Sequence, residues 1–114
     1  MTVEKTAPHF NVQTTKFEPL PEFGGSKAIL YKSKDGRRLA GSFRESGTHR
    51  LTMPFDEFIY VVAGGVKISI EGGDSFTLAA GDACYLQQGQ DILFDMTPDF
   101  HDVTVLMSDK AIDV

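Results

Sequence analysis

The chain is poor in the groups that small proteins use as covalent staples: its 114 residues hold one cysteine, Cys84. One thiol excludes a disulfide framework within the chain and suits a reducing compartment, so a cytoplasmic location is expected. Residues 1–10 carry charge and a proline but no apolar run, and no secretory leader is expected there. No apolar stretch approaches the roughly 20 residues that a membrane-spanning helix needs. Basic residues are in the minority, 11 Lys and Arg against 16 Asp and Glu, for a net charge of −5. They are scattered rather than massed, so neither nucleic acid nor an anionic membrane is an expected partner. A chain of this length forms one domain and can bury a core without a metal or disulfide.

Amphipathic helices are missing as well. What is present is a series of short apolar runs separated by turn residues. Residues 1–26 read as an irregular arm, with Pro8, Pro19 and Pro21 removing backbone donors and one edge strand expected near residues 10–14. The domain proper occupies 27–114. Strands are expected over 28–32, 38–45, 48–53, 57–63, 66–71, 75–79, 83–86, 92–96 and 101–107, parted by turns such as Asp35-Gly36, Gly72-Gly73-Asp74 and Gly81-Asp82. The run 66–71 alternates cleanly, Val66, Ile68 and Ile70 against Lys67, Ser69 and Glu71. So many short strands at this spacing predict an all-β sandwich or barrel. Periodicity alone leaves an immunoglobulin-like sandwich, a lipocalin-like barrel and a jelly roll equally open.

Two segments narrow the choice. From Pro54 to Gly65, a glutamate (Glu57) opens a strand that closes on Gly64, with six residues between. From Gly81 to Gly89, a Gly-Asp turn leads into a short strand and a second glycine turn. Together they resemble the second half of the first cupin motif and the opening of the second. Gly41-Ser42-Phe43 and Asp56-Glu57 extend the likeness toward the short single-domain cupins grouped with ureidoglycine aminohydrolase and the ethanolamine-utilisation cupin. The resemblance covers about residues 28–108. It implies a double-stranded β-helix, the RmlC-like jelly roll, closed around one pocket, and it favours a homodimer. The face formed by Phe58, Tyr60 and Val62 agrees, since a strand apolar on both sides needs covering on both, by the arm or by a second subunit.

The resemblance also implies where a cupin metal would be held, and there the chain departs from it. The two histidine positions before Glu57 fall on Leu51 and Met53, or with a one-residue-longer spacing on Arg50 and Thr52; the fourth ligand position falls on Ile92. Only Glu57 remains, and one carboxylate does not hold a transition metal against water. No cofactor is therefore expected. The one alternative metal set is His49, Glu57 and His101, because strand alternation puts His49 on the side of Leu51 and Met53, and His101 on the side of Val103 and Val105.

Alternation from Glu57 predicts a pocket of Leu51, Met53, Glu57, Ile59, Val61, Ile92 and Phe94, with Arg44, His49, Arg50 and His101 as candidate mouth residues. A carboxyl in such a chamber either rises in pKa or finds a partner. Glu57 thus reads either as a general acid/base or ligand anchor, or as a carboxylate held by a nearby arginine or tyrosine. Cys84, among apolar neighbours, reads as inert. The expected function is metal-independent binding of a small polar molecule. A metal-dependent enzyme resembling ureidoglycine aminohydrolase and a dimeric module with a vestigial pocket are the alternatives, and whether the protein is a catalyst stays open.

Overall fold

The computed structural model describes residues 3–114. Ten strands follow in order: β1 (Glu18–Leu20), β2 (Gly25–Lys32), β3 (Arg38–Arg44), β4 (Gly47–Thr52), β5 (Asp56–Ala63), β6 (Gly65–Ile70), β7 (Ser75–Ala79), β8 (Ala83–Leu86), β9 (Asp91–Met96) and β10 (His101–Met107). Among the described residues the only helical piece is one 3-10 turn, Pro21–Phe23. The turns form where side chains offer the backbone acceptors it lacks. Asp35 accepts from the Ser33 hydroxyl and the Arg37 amide, and Asp82 accepts from the Ala79 amide at 2.8 Å.

The strands make two antiparallel sheets, β1-β2-β3-β10-β5-β8 and β4-β9-β6-β7. β10 lies between β3 and β5, and β9 between β4 and β6, so each sheet interleaves strands from both halves of the chain. That interleaving is the double-stranded β-helix of a jelly roll. Inner positions alternate with outer ones: on β6, Val66 and Ile68 are buried while Lys67 is exposed. One part of the interior is filled by a cluster that includes Met53, Val61, Ile68, Leu78, Leu86 and Ile92. Gly64, at the corner between β5 and β6, has φ +68°, and a Cβ there would meet Thr97 Oγ1 at 2.6 Å and the Asp99 backbone at 2.8 Å. No other residue type fits that corner without strain.

The arm differs from its expected form. No strand crosses residues 10–14, where the chain turns instead, with the Thr14 and Thr15 amides both donating to the Asn11 carbonyl. The edge strand lies later, at β1, and β2 starts at Gly25, inside the stretch read as irregular. Glu18 and Pro19 mask β1 in the sequence; what holds it is hairpin pairing with β2.

Candidate functional site

The interior that the apolar cluster leaves unfilled is a cavity of about 400 Å³ between the two sheets. Its walls come from β3, β10 and β5 on one side and β4, β9 and β6 on the other, with Leu20, Phe23 and Val114 among the residues at its ends. The lining is mainly aliphatic and aromatic, including Phe43, Leu51, Phe55, Ile59, Phe94 and Leu106. Its polar groups are predominantly acidic. Glu45, Glu57 and Asp102 face it from inside, and the exposed Glu22 and Asp113 lie at its rim. Lys27 is the one lysine or arginine in the lining, and its Nζ stands 4.0 Å from Glu18.

Glu57 sits on β5, opposite Leu106 of β10. Its Oε2 is 2.8 Å from the Thr104 hydroxyl, which is also 2.9 Å from the Phe58 carbonyl. One hydroxyl has one hydrogen. With Glu57 ionised, Thr104 donates to its Oε2; with Glu57 protonated, the acid can donate to Thr104, which then donates to Phe58. Burial pushes the Glu57 pKa up to about 7, with the Glu45 charge adding to the rise and the Thr104 bond opposing it. Glu45 is likewise pushed up to about 7 by burial. Asp102, only 2% exposed, is raised well above the usual carboxylate range by burial and then by the charges of Glu57 and Glu45, against the Phe43 amide that donates to its Oδ1 at 3.1 Å. No cation is among the causes acting on any of the three. The partner of Glu57 is thus Thr104, neither an arginine nor a tyrosine.

Of the expected pocket residues, Leu51, Glu57, Ile59 and Phe94 line the cavity. Met53, Val61 and Ile92 also point inward but do not line it; they are sealed in the apolar cluster, at 1%, 0% and 0% exposure. Alternation tells inside from outside and does not tell which inner positions are filled. Among the expected mouth residues, His49 lines the cavity, its Nε2 donating to the Ser46 carbonyl at 2.8 Å and its ring set edge-on to Phe23. Arg50 instead points outward to Asp91 at 3.3 Å and Glu71 at 3.7 Å, as its parity opposite His49 requires. Arg44 stacks over the Phe17 ring at 4.5 Å on the outer surface.

His101 is also outside the cavity. Regular alternation along β10 turns Asp102, Thr104 and Leu106 inward and leaves His101, with Val103 and Val105, on the outer face, buried under Phe17. Burial, and secondarily the Arg44 charge, lowers its pKa. Its Nε2 is 2.8 Å from Ser42 Oγ, but the Ser42 hydroxyl donates to the Asp102 carbonyl at 2.6 Å. His101 is therefore the donor of the pair, the reverse of a general base on a serine nucleophile. Among the described residues no three His, Cys, Asp or Glu side chains converge closely enough to hold a metal ion, so His49, Glu57 and His101 do not form a ligand set. Cys84 is half-buried, and burial, with the Glu57 charge, pushes its pKa up to about 11. A thiol so disposed is a poor nucleophile.

Glu45 and Asp102 escape a reading of the sequence. Residues 101–107 offer two parities, and the more apolar one, Val103, Val105 and Met107, is the outer face. The signal that could have found Asp102 is its match in parity with Thr104 and Leu106, once the outer face is allowed an apolar cover.

A family model described as EutQ-like cupin domain matches residues 33–104. The EutQ protein of Clostridium difficile is 23% identical, with a TM-score of 0.64, over 80% of this chain and 68% of that one. A protein described as ethanolamine utilization protein Q from Salmonella typhimurium LT2 gives 22% identity and a TM-score of 0.70 over 85% and 82%. KdgF from Halomonas sp. gives 16% and 0.71 over 92% and 96%. At these identities the likenesses establish the fold alone. No curated protein matches the chain in sequence.

Proposed function

The chain belongs to the EutQ-like cupin family, and on that premise we propose that it binds a small molecule inside the barrel without a resident metal. The observation that carries this reading is the cavity itself: about 400 Å³, apolar in its walls, with a few convergent polar groups and perturbed carboxyls. That is the usual make-up of a small-molecule site. The inward donors are carboxyls and one imidazole, His49, whose Nε2 is engaged by Ser46. Selective transition-metal sites are built from several converging nitrogen, oxygen or sulfur donors.

Elemental analysis after expression in metal-supplemented medium tests the metal-free reading. Metal well below one equivalent is the expected result. One equivalent of Mn, Fe, Ni or Zn that survives dialysis and disappears in Glu57→Ala or His49→Ala overturns it. Binding itself is tested on chelator-treated protein by thermal shift against small alcohols, amines and acids. A saturable rise in melting temperature that Leu51→Trp removes supports a site in the cavity; no rise with any of them counts against it.

The protein acts, on this reading, as a cytoplasmic homodimer. The outer face of β5 exposes Phe58 at 41% and Tyr60 at 43%. Phe58 is flanked across the strands by Val105 and Tyr85, themselves exposed, so an apolar row crosses β10, β5 and β8. The described residues of the arm leave this row exposed; Phe17 packs over His101 instead. A second copy about a twofold axis would bury it. Light scattering is expected to give twice the chain mass for the wild type and the single mass for Phe58→Asp/Tyr60→Asp. A stable wild-type monomer at micromolar concentration contradicts the dimer.

A further inference from the structure

We propose that the cavity recognises a small organic cation, a primary ammonium on a short apolar body, with the ammonium held between Glu57 and Asp102. The inference rests on the binding reading of this cavity and adds the charge class of its ligand.

Asp102 is 2% exposed and lines the cavity, yet protein donors meet only one of its oxygens, Oδ1, bonded to the Phe43 amide. Glu57 is similar: Oε2 faces Thr104, and Oε1 has no protein donor. Thr104 follows Asp102 by two residues on the same inner face of β10, a step of about 7 Å. Because Glu57 reaches Thr104, its carboxyl and that of Asp102 flank one short stretch of the cavity wall. Two carboxyls lining one cavity, each with an oxygen that has no donor among the described residues, suit a group with several N–H donors and no acceptor, and an ammonium has three.

The other charged groups facing the site point the same way. Glu45 faces it from the turn after β3, and Glu22 and Asp113 from the rim; Lys27 stands 4.0 Å from Glu18 and His49 donates to Ser46. Behind Glu57, the Cys84 thiol is neutral. An anionic ligand would enter among three inward carboxyls, with Lys27, 4.0 Å from Glu18, as the one lysine or arginine among the described lining residues. A neutral one would leave ionisation of those carboxyls opposed by burial. A cation relieves that penalty, because each carboxyl it draws into ionisation gains the partner it lacks. The apolar walls at Leu51, Ile59, Phe94 and Leu106 then accept the ligand's carbon body.

Binding should therefore expel protons. The full chain, chelator-treated, is titrated with n-butylammonium, n-butanol and butyrate by calorimetry in two buffers of different ionisation enthalpy. Only the ammonium is expected to bind measurably near pH 7.5, with a buffer-dependent enthalpy that reports proton release, and about tenfold or more weaker near pH 5, where the carboxyls hold their protons. Glu57→Gln and Asp102→Asn are each expected to weaken it by about tenfold or more. Should Asp102→Asn fail to fold, Glu57→Gln alone decides, and unchanged affinity in it overturns the proposal. Butanol or butyrate binding as well as the ammonium also overturns it while leaving the cavity a ligand site. Failure of all three to bind removes both this inference and the binding reading.

Discussion

Melting temperature is expected to be highest near pH 5 and to fall as the pH rises toward 7.5, and Glu57→Gln is expected to flatten that fall. Glu45 and Glu57 both have folded-state pKa values of about 7 against an ordinary 4.5, each chiefly through burial. The folded protein thus holds protons that the unfolded chain has already released. Stability from these groups is complete below 4.5, declines between 4.5 and about 7, and is gone above. For one group such a displacement is worth on the order of 3 kcal/mol. Glu45 and Glu57 repel each other and titrate as a pair, so their contributions do not simply add. Asp102 acts in the same direction.

Other groups oppose the trend and set the maximum. The lowered pKa of His101 favours higher pH within its own interval. Asp35 and Asp56 are held low by their hydrogen bonds, chiefly the Arg37 amide and the Tyr85 hydroxyl, so they withdraw stability as the pH drops below their ordinary 3.8. One histidine against three buried carboxyls does not reverse the slope above pH 5. Glu57→Gln should match wild type near pH 4.5 and exceed it at about pH 8 by about 2–3 kcal/mol. The Gln amide can donate to Thr104 as the protonated acid does, leaving Thr104 free to donate to Phe58. A Glu57→Gln protein less stable than wild type at pH 8 would show that the carboxylate is ionised and paired in the fold.

The same carboxyls mark where the sequence stops being readable. Strand positions follow from turn chemistry, because Gly, Asp and Pro act locally and report their own backbone. The inward direction on β5 follows too, since Ile59 and Val61 are buried and Phe58 and Tyr60 exposed in strict alternation. β10 is different. Its apolar parity lies outside and its Asp-Thr-Leu parity inside, inverted because the interior is in part a polar-lined cavity and the exterior is in part covered by Phe17. Alternation along β10 then keeps His101 away from the cavity that Asp102 enters. A two-residue period carries no information about depth, which is why Met53, Val61 and Ile92 are core while Leu51, Ile59 and Phe94 line the cavity.

The arm shows a further limit. Leu20, Glu22 and Phe23 wall the cavity, yet nothing in a proline-rich polar stretch announces it. Their position depends on the hairpin that pairs Glu18–Leu20 with Lys27–Gly25 and on a contact distant in sequence, the Ser46 amide donating to the Phe23 carbonyl at 3.5 Å. The segment is therefore part of the site, and its hold on the barrel is open to a direct test.

Gly25→Ala is expected to break that hold. A Cβ on Gly25 would lie 1.6 Å from the Arg44 carbonyl oxygen and 2.6 Å from its carbon, both backbone atoms at the end of β3. No side-chain rotation relieves such an overlap, so β2 must lift from β3 at the point where β1 and the 3-10 turn are carried. Overpacking of ordinary severity costs about 1–3 kcal/mol, and a clash with fixed backbone stands at or beyond the upper end. For a domain of this size that lowers the melting temperature by about 10 °C or more. Leu20 and Phe23 would leave the cavity wall with the displaced hairpin, so ammonium binding should fall in the same variant and proteolysis within residues 18–25 should quicken. Gly72→Ala is the control. Its φ of +74° strains any side chain, but a Cβ there meets nothing within 4 Å and the turn is far from the cavity lining. It should cost about 1 kcal/mol and leave binding unchanged. If Gly25→Ala melts like wild type and keeps its ligand, β2 and β3 have room that this packing denies them, and the arm is not a wall of the site.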